Sequence, residues 1–292
     1  ITNWSYISQI DTQKNMKIIK NISEITQIVS DLHKNKKQIN LIPTMGNIHA
    51  GHLSLLTEAK KFNGTNIVSI FVNPAQFNEE NDFTNYPKTF DTDVDLLAKA
   101  HCEIIFAPSI KEIYPRGANS KKTVFKYRDI LCDISRSGHF DGVTTIVKIL
   151  FDLIKPFRVF FGEKDFQQLK IIEQLIIQNN LKINLIKCPS IRDLNGMSYS
   201  SRYSTFSQKQ RLQFEECAKI INSKLINLKK NFNQEILQSL EYELKSFGIS
   251  NIDYCEVRSE ENLNISKLNE RSRLFIAFYL SKIRVIDNFI LY

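Results

Sequence analysis

Two histidines three residues apart, His49 and His52, stand in the string Ile42-Pro43-Thr44-Met45-Gly46-Asn47-Ile48-His49-Ala50-Gly51-His52, after a β-branched run and at the opening of a helical pattern. On the first turn of a helix they share a face, where both can hand hydrogen bonds to phosphoryl oxygens as negative charge grows in a transition state. A helix start adds unpaired N–H groups and a positive dipole end, and Gly46 and Gly51 let backbone come close to a phosphate. The same spacing also suits a helix cap or half of a metal site. Zinc would need a third protein ligand, and the H-E-x-x-H arrangement is absent. On residue types alone these readings stay open.

Such a pair needs a rigid platform, and the flanking sequence predicts one. Between Ile39 and Cys188, short β-branched runs alternate with helical patterns, which signals crossover units and a mainly parallel sheet. Strands are expected at Ile39–Ile42, Ile67–Val72, Glu103–Ala107, Arg158–Phe161 and Ile183–Lys187. Helices are expected at Ser23–Lys34, His52–Phe62, Thr92–Ala100, Val143–Ile154 and Phe166–Gln178. In the last of these Phe166, Leu169, Ile172 and Leu175 share a stripe, and Asp165 and Gln168 fall together on another face. Open α/β sheets bind ligands at the carboxyl ends of their strands, near the switch in strand order. Beyond Cys188-Pro189 the polar stretch Arg192–Ser204 leads to helical patterns at Gln208–Leu228 and Gln234–Phe247. Strand-like runs follow at Asn251–Val257, Arg273–Tyr279 and Arg284–Leu291, the last two close enough for a hairpin, so a smaller α+β domain is expected.

Composition bounds the rest. The 292 residues are 42% hydrophobic and 24% charged, with only 9 Gly and 7 Pro, which excludes disordered, collagenous and low-complexity classes. The 39 Lys+Arg against 31 Asp+Glu give +8, which suits an anionic partner without choosing among nucleotide, nucleic acid and acidic metabolite. Five scattered cysteines without a C-x-x-C pair argue against a secreted disulfide framework and for a reducing, cytoplasmic setting. The longest apolar runs, such as Ile146–Ile154, are too short for a bilayer span, so no membrane partner is expected. Residues 1–15, which carry Trp4 and precede Met16-Lys17-Ile18-Ile19, read as an upstream extension.

The H-x-G-H pattern after a first strand resembles the nucleotidylyltransferase superfamily, and the longer string resembles the pantoate–β-alanine ligase family. Further blocks in the same order carry the resemblance: Ile70-Phe71-Val72-Asn73-Pro74-Ala75-Gln76-Phe77 with Tyr86-Pro87-Lys88-Thr89, Gly138-His139-Phe140, Phe161-Gly162-Glu163-Lys164-Asp165-Phe166-Gln167-Gln168-Leu169, and Arg192, Gly196 and Ser200-Ser201-Arg202. It runs from about Met16 to Asn288. It implies an α/β fold, a Rossmann-like parallel sheet flanked by helices over residues 16–190, with a smaller C-terminal α+β lid domain over 191–292 and the Ser-Ser-Arg motif at the junction.

The implied chemistry is a two-step ligation. Pantoate's carboxylate attacks the α-phosphorus of ATP, and β-alanine's amine then displaces AMP from pantoyl adenylate to give pantothenate, on the route to coenzyme A. By the same resemblance, Met45, Gly46, Asn47, Ile48, His49, Ala50, Gly51 and His52 lie along ATP, with His49 and His52 catalytic and His52 the proton donor. Lys164 is the third catalytic group, and Gly162, Glu163, Lys164 and Asp165 form a nucleotide-binding turn in which Asp165 also suits a helix cap. Ile191 offers backbone to adenine, while Tyr199, Ser200, Ser201 and Arg202 form a phosphate clamp. Gln76 and Gln168 hold pantoate, because neutral amides orient a nucleophilic carboxylate without the tight bidentate grip of an arginine. Asn73 binds β-alanine or the adenylate, or shapes the loop. ATP implies Mg²⁺, with Asp93 near the metal or simply complementing the helix dipole. His139 is a candidate base for the β-alanine amine. The family's dimers imply a homodimer.

Three departures from the family pattern are visible: Asp141 reverses a charge in Arg136-Ser137-Gly138-His139-Phe140-Asp141-Gly142, Tyr199 stands for Met or Leu, and Tyr203 stands for Asn. A related adenylating enzyme with another acid is the main rival, although a class I synthetase would need an RNA-reading domain. A basic nucleic-acid-binding protein is the rival of another class, and no RNP1-type motif supports it.

Overall fold

The computed structural model describes residues 16–78, 80–266 and 270–291, so the expectation about residues 1–15 lies outside the described residues. Six parallel strands, β1 (Lys17–Ile19), β2 (Ile39–Thr44), β3 (Thr65–Ile70), β4 (Ile104–Phe106), β5 (Arg158–Gly162) and β6 (Asn184–Cys188), form a sheet in the order β1-β4-β3-β2-β5-β6. The strands expected from sequence all form, shifted by a residue or two. β1 was not expected: at three residues it is too short to show an alternation, and it exists by pairing with β4.

The helices of this part are α1 (Ile22–Lys34), α2 (Ala50–Ala59), α3 (Glu80–Thr84), α4 (Phe90–Lys99), α5 (Ile110–Ile113), α6 (Cys132–Ser135), α7 (His139–Ile154) and α8 (Phe166–Gln178). Alternation along the strands sorts the apolar residues into two layers. Leu41, Ile67, Phe106 and Val159 join a cluster with α1, α7 and α8, whereas Ile42, Val68, Ile105 and Phe160 join another with α2 and α4. Helix α7 begins at His139, four residues before the expected start, because Gly138 at φ 79° turns the chain into it.

From β2 the chain builds outward through β3 and β4 on one side, and later places β5 and β6 on the other. The crevice between the ends of β2 and β5 is therefore the switch point. The string after Thr44 and the turn after Gly162 both open onto it.

The C-terminal part has α9 (Gln208–Lys230), α10 (Gln234–Ser246) and the antiparallel strands β7 (Asn251–Ser259), β8 (Ser272–Leu280) and β9 (Ile283–Ile290), with β8 and β9 forming the expected hairpin. A capping box of Ser207 and Gln210 starts α9. One face of this sheet packs on α9 and α10 through Val257, Ile276 and Phe278. From the other, Tyr254, Phe275 and Ala277 enter the apolar cluster of the large sheet. All five cysteines are buried and free. Burial pushes the thiols of Cys102 up to about 11 and those of Cys188 and Cys217 up to about 12.

Candidate active site

The loop after β2 has a demanding backbone. Gly46 sits at φ 80°, where a Cβ would lie 3.0 Å from Asp93 Oδ2, and Asn47 is also left-handed at φ 49°. Asp93 holds this loop: its carboxylate accepts the N–H groups of Asn47 and Ile48 at 2.9 and 2.7 Å and the Thr89 hydroxyl at 3.1 Å. Asp93 thereby acts as the tie of the loop to α4. Among the described residues, no group of three or more His, Cys, Asp or Glu converges as metal ligands.

His49 caps α2, its Nδ1 accepting the Gly51 N–H at 3.1 Å, so its remaining proton is on Nε2. The rings of His49 and His52 stack with centroids 4.0 Å apart. Burial, then the Lys164 charge, lower His49 to about 4. Burial also takes His52 well below the usual histidine value, with His49 and Lys164 adding to it. Both imidazoles are therefore neutral near pH 7 and offer N–H bonds, so a donor role for His52 would run through the N–H of a neutral ring. Its Nδ1 is buried without a hydrogen-bond partner.

These rings line a cavity of about 280 Å³ at the switch point, together with Met45, Gly51, Gly162, Lys164, Asp165, Gln76, Gln168, Asn73, Ile191, Tyr199, Ser200, Ser201 and Arg202. Val143, Ile146, Val147 and Leu150 of α7 add an apolar wall. Asp165 is the carboxylate among the lining residues, which also include Lys164, Arg136, Arg202 and Arg284, so cationic side chains outnumber anionic ones in the lining. Asp165 stands at the N-cap of α8 without a side-chain cap bond, which removes its expected capping role, and approaches Lys164 at 3.9 Å.

Other expected residues do not line the cavity. Ile48 joins the apolar layer, Ala50 begins α2, and Asn47 bonds Ser201 O at 2.8 Å and Ser204 Oγ at 3.1 Å. Glu163 turns away to accept Arg273 at 2.8 Å. Asn73 lines the wall with its amide already engaged: Nδ2 donates to Gly142 O and Gln76 Oε1, and Oδ1 accepts from Tyr114 and Ala75 N. These bonds give Asn73 the loop-shaping work that was the alternative to binding β-alanine or the adenylate. Gln76 donates to the Met45 sulfur at 2.8 Å; a thioether is a weak acceptor, so a substrate oxygen can recruit this amide. Gln168 faces the cavity, whereas Gln167 is buried and bonds Cys132 N, Tyr127 O and Ile130 O.

Arg136 was missed, although its signal lay in the Gly138-His139-Phe140 block. Its guanidinium bonds His139 Nε2 at 3.0 Å and Gln76 O at 3.4 Å, with no carboxylate in ion-pair range among the described residues. Burial, then Arg202, lower it to about 10, so it stays charged at neutral pH. His139 is occupied at both nitrogens, with Nδ1 at 2.8 Å from Gln76 O, and burial lowers its value well below the usual one. It holds Arg136 and the Gln76 backbone in place and is not free to act as a base. Asp141 pairs with the buried Arg128 at 2.7 Å, so its reversed charge is compensated locally. Tyr199 stacks on His49 with centroids 6.2 Å apart, and Tyr203 packs on Phe206 and Phe214.

Against known proteins, residues 17–290 match the family model described as Pantoate-beta-alanine ligase. The chain belongs to the pantoate-beta-alanine ligase family. A pantothenate synthetase of Acinetobacter baylyi is 40% identical over 281 residues, covering 94% of this chain and 98% of the relative. That of Pseudothermotoga lettingae is 38% identical over 280 residues, covering 94% and 99%. The crystal structure of a Francisella tularensis pantoate-beta-alanine ligase, complexed with beta-gamma ATP and beta-alanine, superposes with TM-score 0.83 at 35% identity, covering 94% of this chain and 97% of that one. A Thermus thermophilus pantothenate synthetase gives TM-score 0.85 at 28% identity, covering 95% and 100%. Family membership and the observed architecture agree with the ligase fold expected from the motif blocks.

Proposed function

We propose that this chain joins (R)-pantoate to β-alanine with cleavage of ATP to AMP and pyrophosphate, through pantoyl adenylate. The observation that carries this reading is one cationic cavity in which two neutral amides, Gln76 and Gln168, face Lys164 and a stacked neutral histidine pair. A nucleophilic carboxylate oriented by amides keeps a lone pair for the α-phosphorus. As the carboxylate–phosphorus bond forms and the bond to the β-phosphate oxygen breaks, His49 and His52 donate N–H bonds to the growing charge. Lys164 follows that charge as a flexible ammonium. Ser200, Ser201 and Arg202 close on the phosphates, and Ile191 meets the adenine.

In the second step the amine nitrogen attacks the acyl carbon, AMP leaves with the bonding electrons, and the ammonium proton passes to solvent. The nonreacting carboxylate of β-alanine needs a firm anchor, and Arg136, charged, beside Gln76 and without a carboxylate partner among the described residues, provides the chemistry for one. The Francisella relative's complex with ATP and β-alanine supports the substrate pair. Mg²⁺ belongs to the reading as a companion of the phosphates, which it neutralises, with Asp165 as the lining carboxylate available to it. Residues 16–190 would carry both acid and nucleotide sites, and 191–292 the lid, acting as a homodimer in the cytoplasm. No described helix is long and apolar enough to cross a membrane.

The test is pyrophosphate release with pantoate alone. A burst without β-alanine, accompanied by enzyme-bound adenylate, is expected; ATP cleavage only after β-alanine is added overturns the order of steps.

A further inference from the structure

Two consecutive residues near the end of β9 reach both phosphate-facing segments from opposite sides of the strand. Asn288, 1% exposed, donates both amide hydrogens into the turn after β5, to Glu163 O and Lys164 O at 2.8 Å each. Its Oδ1 accepts Arg273 Nη1 at 2.8 Å, and Arg273 reaches on to the Glu163 carboxylate at 2.8 Å. Asp287, 3% exposed, points the other way. Its Oδ2 accepts Ser198 N at 2.8 Å and Arg192 Nη1 at 3.1 Å, and Arg192 returns to Asn288 O at 2.6 Å. Arg192 and Ser198 are themselves bridged, and Ser198 leads directly into Tyr199–Arg202.

We propose that Asp287 and Asn288 are positioning residues that fasten the Lys164 turn and the Arg202 clamp to one strand, so that both cations address the same triphosphate. The proposal rests on the ATP site described under Proposed function. The turn opens on Gly162, which has no side chain to cap it, so the two Asn288 bonds are its side-chain tie to β9. Only an amide fits position 288, which must donate twice to carbonyls and accept once from an arginine. A carboxylate of the same shape would keep Arg273 and repel both carbonyls.

The test compares equilibrium binding of ATP and of AMP to wild type, Asn288→Asp and Asp287→Asn, with melting curves alongside. Misaligned cations should cost ATP about 10-fold or more in affinity, on the scale of one or two lost hydrogen bonds to charged groups, and AMP less than about 2-fold. Asp287→Asn carries the same expectation if Asn288→Asp fails to fold, since its amide oxygen can keep Ser198 and Arg192 only without the charge, and its amide nitrogen would meet the Asn288 N–H that Oδ1 accepts at 2.8 Å. Equal losses for both nucleotides would indicate general damage and overturn the proposal, as would ATP affinity unchanged in the folded variants. A wild type that shows the ATP preference yet releases no pyrophosphate with pantoate overturns the assigned acid substrate alone; a wild type that binds no ATP overturns both.

Discussion

The guanidinium of Arg202 bonds the carboxylate of Asp82 at 2.7 Å, joining the Ser201–Thr205 turn to the short helix α3. Arg202 is thus neutralised at the mouth of the cavity. Both side chains are partly exposed, and such pairs are worth about 0–1 kcal/mol, so a triphosphate can draw Arg202 away. Asp82→Asn removes the competitor. ATP should then bind up to about five-fold tighter, with the gain largest at low salt. Weaker ATP binding in a titration would mean that Asp82 aims Arg202 at the nucleotide.

His52 has no hydrogen-bonding partner at Nδ1 and stacks on the helix-capping His49, so its removal should leave the fold in place. The His52→Ala variant should lose ~10²-fold or more in turnover, as for loss of a donor to developing charge. Its circular dichroism should match wild type. Turnover near wild type would remove His52 from the chemistry.

Acid should weaken the fold through its neutral histidines. His49, His52 and His139 all have values lowered from 6.5 by burial, so the unfolded chain binds more protons than the native one as pH falls. Their contribution is fully present above about pH 7 and is lost as pH falls through the unfolded histidine value of 6.5 toward the lowered native values, about 4 for His49. Melting temperature should drop between pH 7 and 5. A flat profile across that window would contradict the burial of these rings.

Helix α7 touches the turn that carries Gln76 at a position without a side chain. A Cβ on Gly142 would lie 2.1 Å from Ala75 O and 2.6 Å from Gln76 N. Gly142→Ala should destabilise by about 1–3 kcal/mol, by analogy with overpacked cores, and should raise the KM for pantoate through the displaced Gln76. Unchanged melting and KM would show that the turn yields freely.

The parallel sheet was legible because its central strands are buried on both faces and separated by helical patterns long enough to read. The histidine string was legible too, since spacing and strand context together narrow its chemistry. Side-chain partners were not. Asp93 reads in sequence as a carboxylate near a metal or one complementing a dipole, and only the approach of β2's loop 46 residues earlier in the chain reveals the bonds it makes. Asn73 and Gln76 sit in one short block, yet Tyr114 and Gly142, distant in sequence, decide which amide remains available. Likewise β1 owes its existence to β4, and nothing local announces it. Long-range pairing, rather than residue type, separates those roles.

The cysteines of this chain are interior groups whose thiols at positions 102, 188 and 217 burial keeps protonated far above neutrality. A thiol in that state is a poor nucleophile, and reagents reach it only when the surrounding packing opens. Cys102 lies in the layer under α2 and α4, and Cys217 lies on the buried face of α9 in the C-terminal part. The molecule therefore carries its own reporters of breathing: alkylation rates at these two sites would time the opening of each layer separately, without any added label.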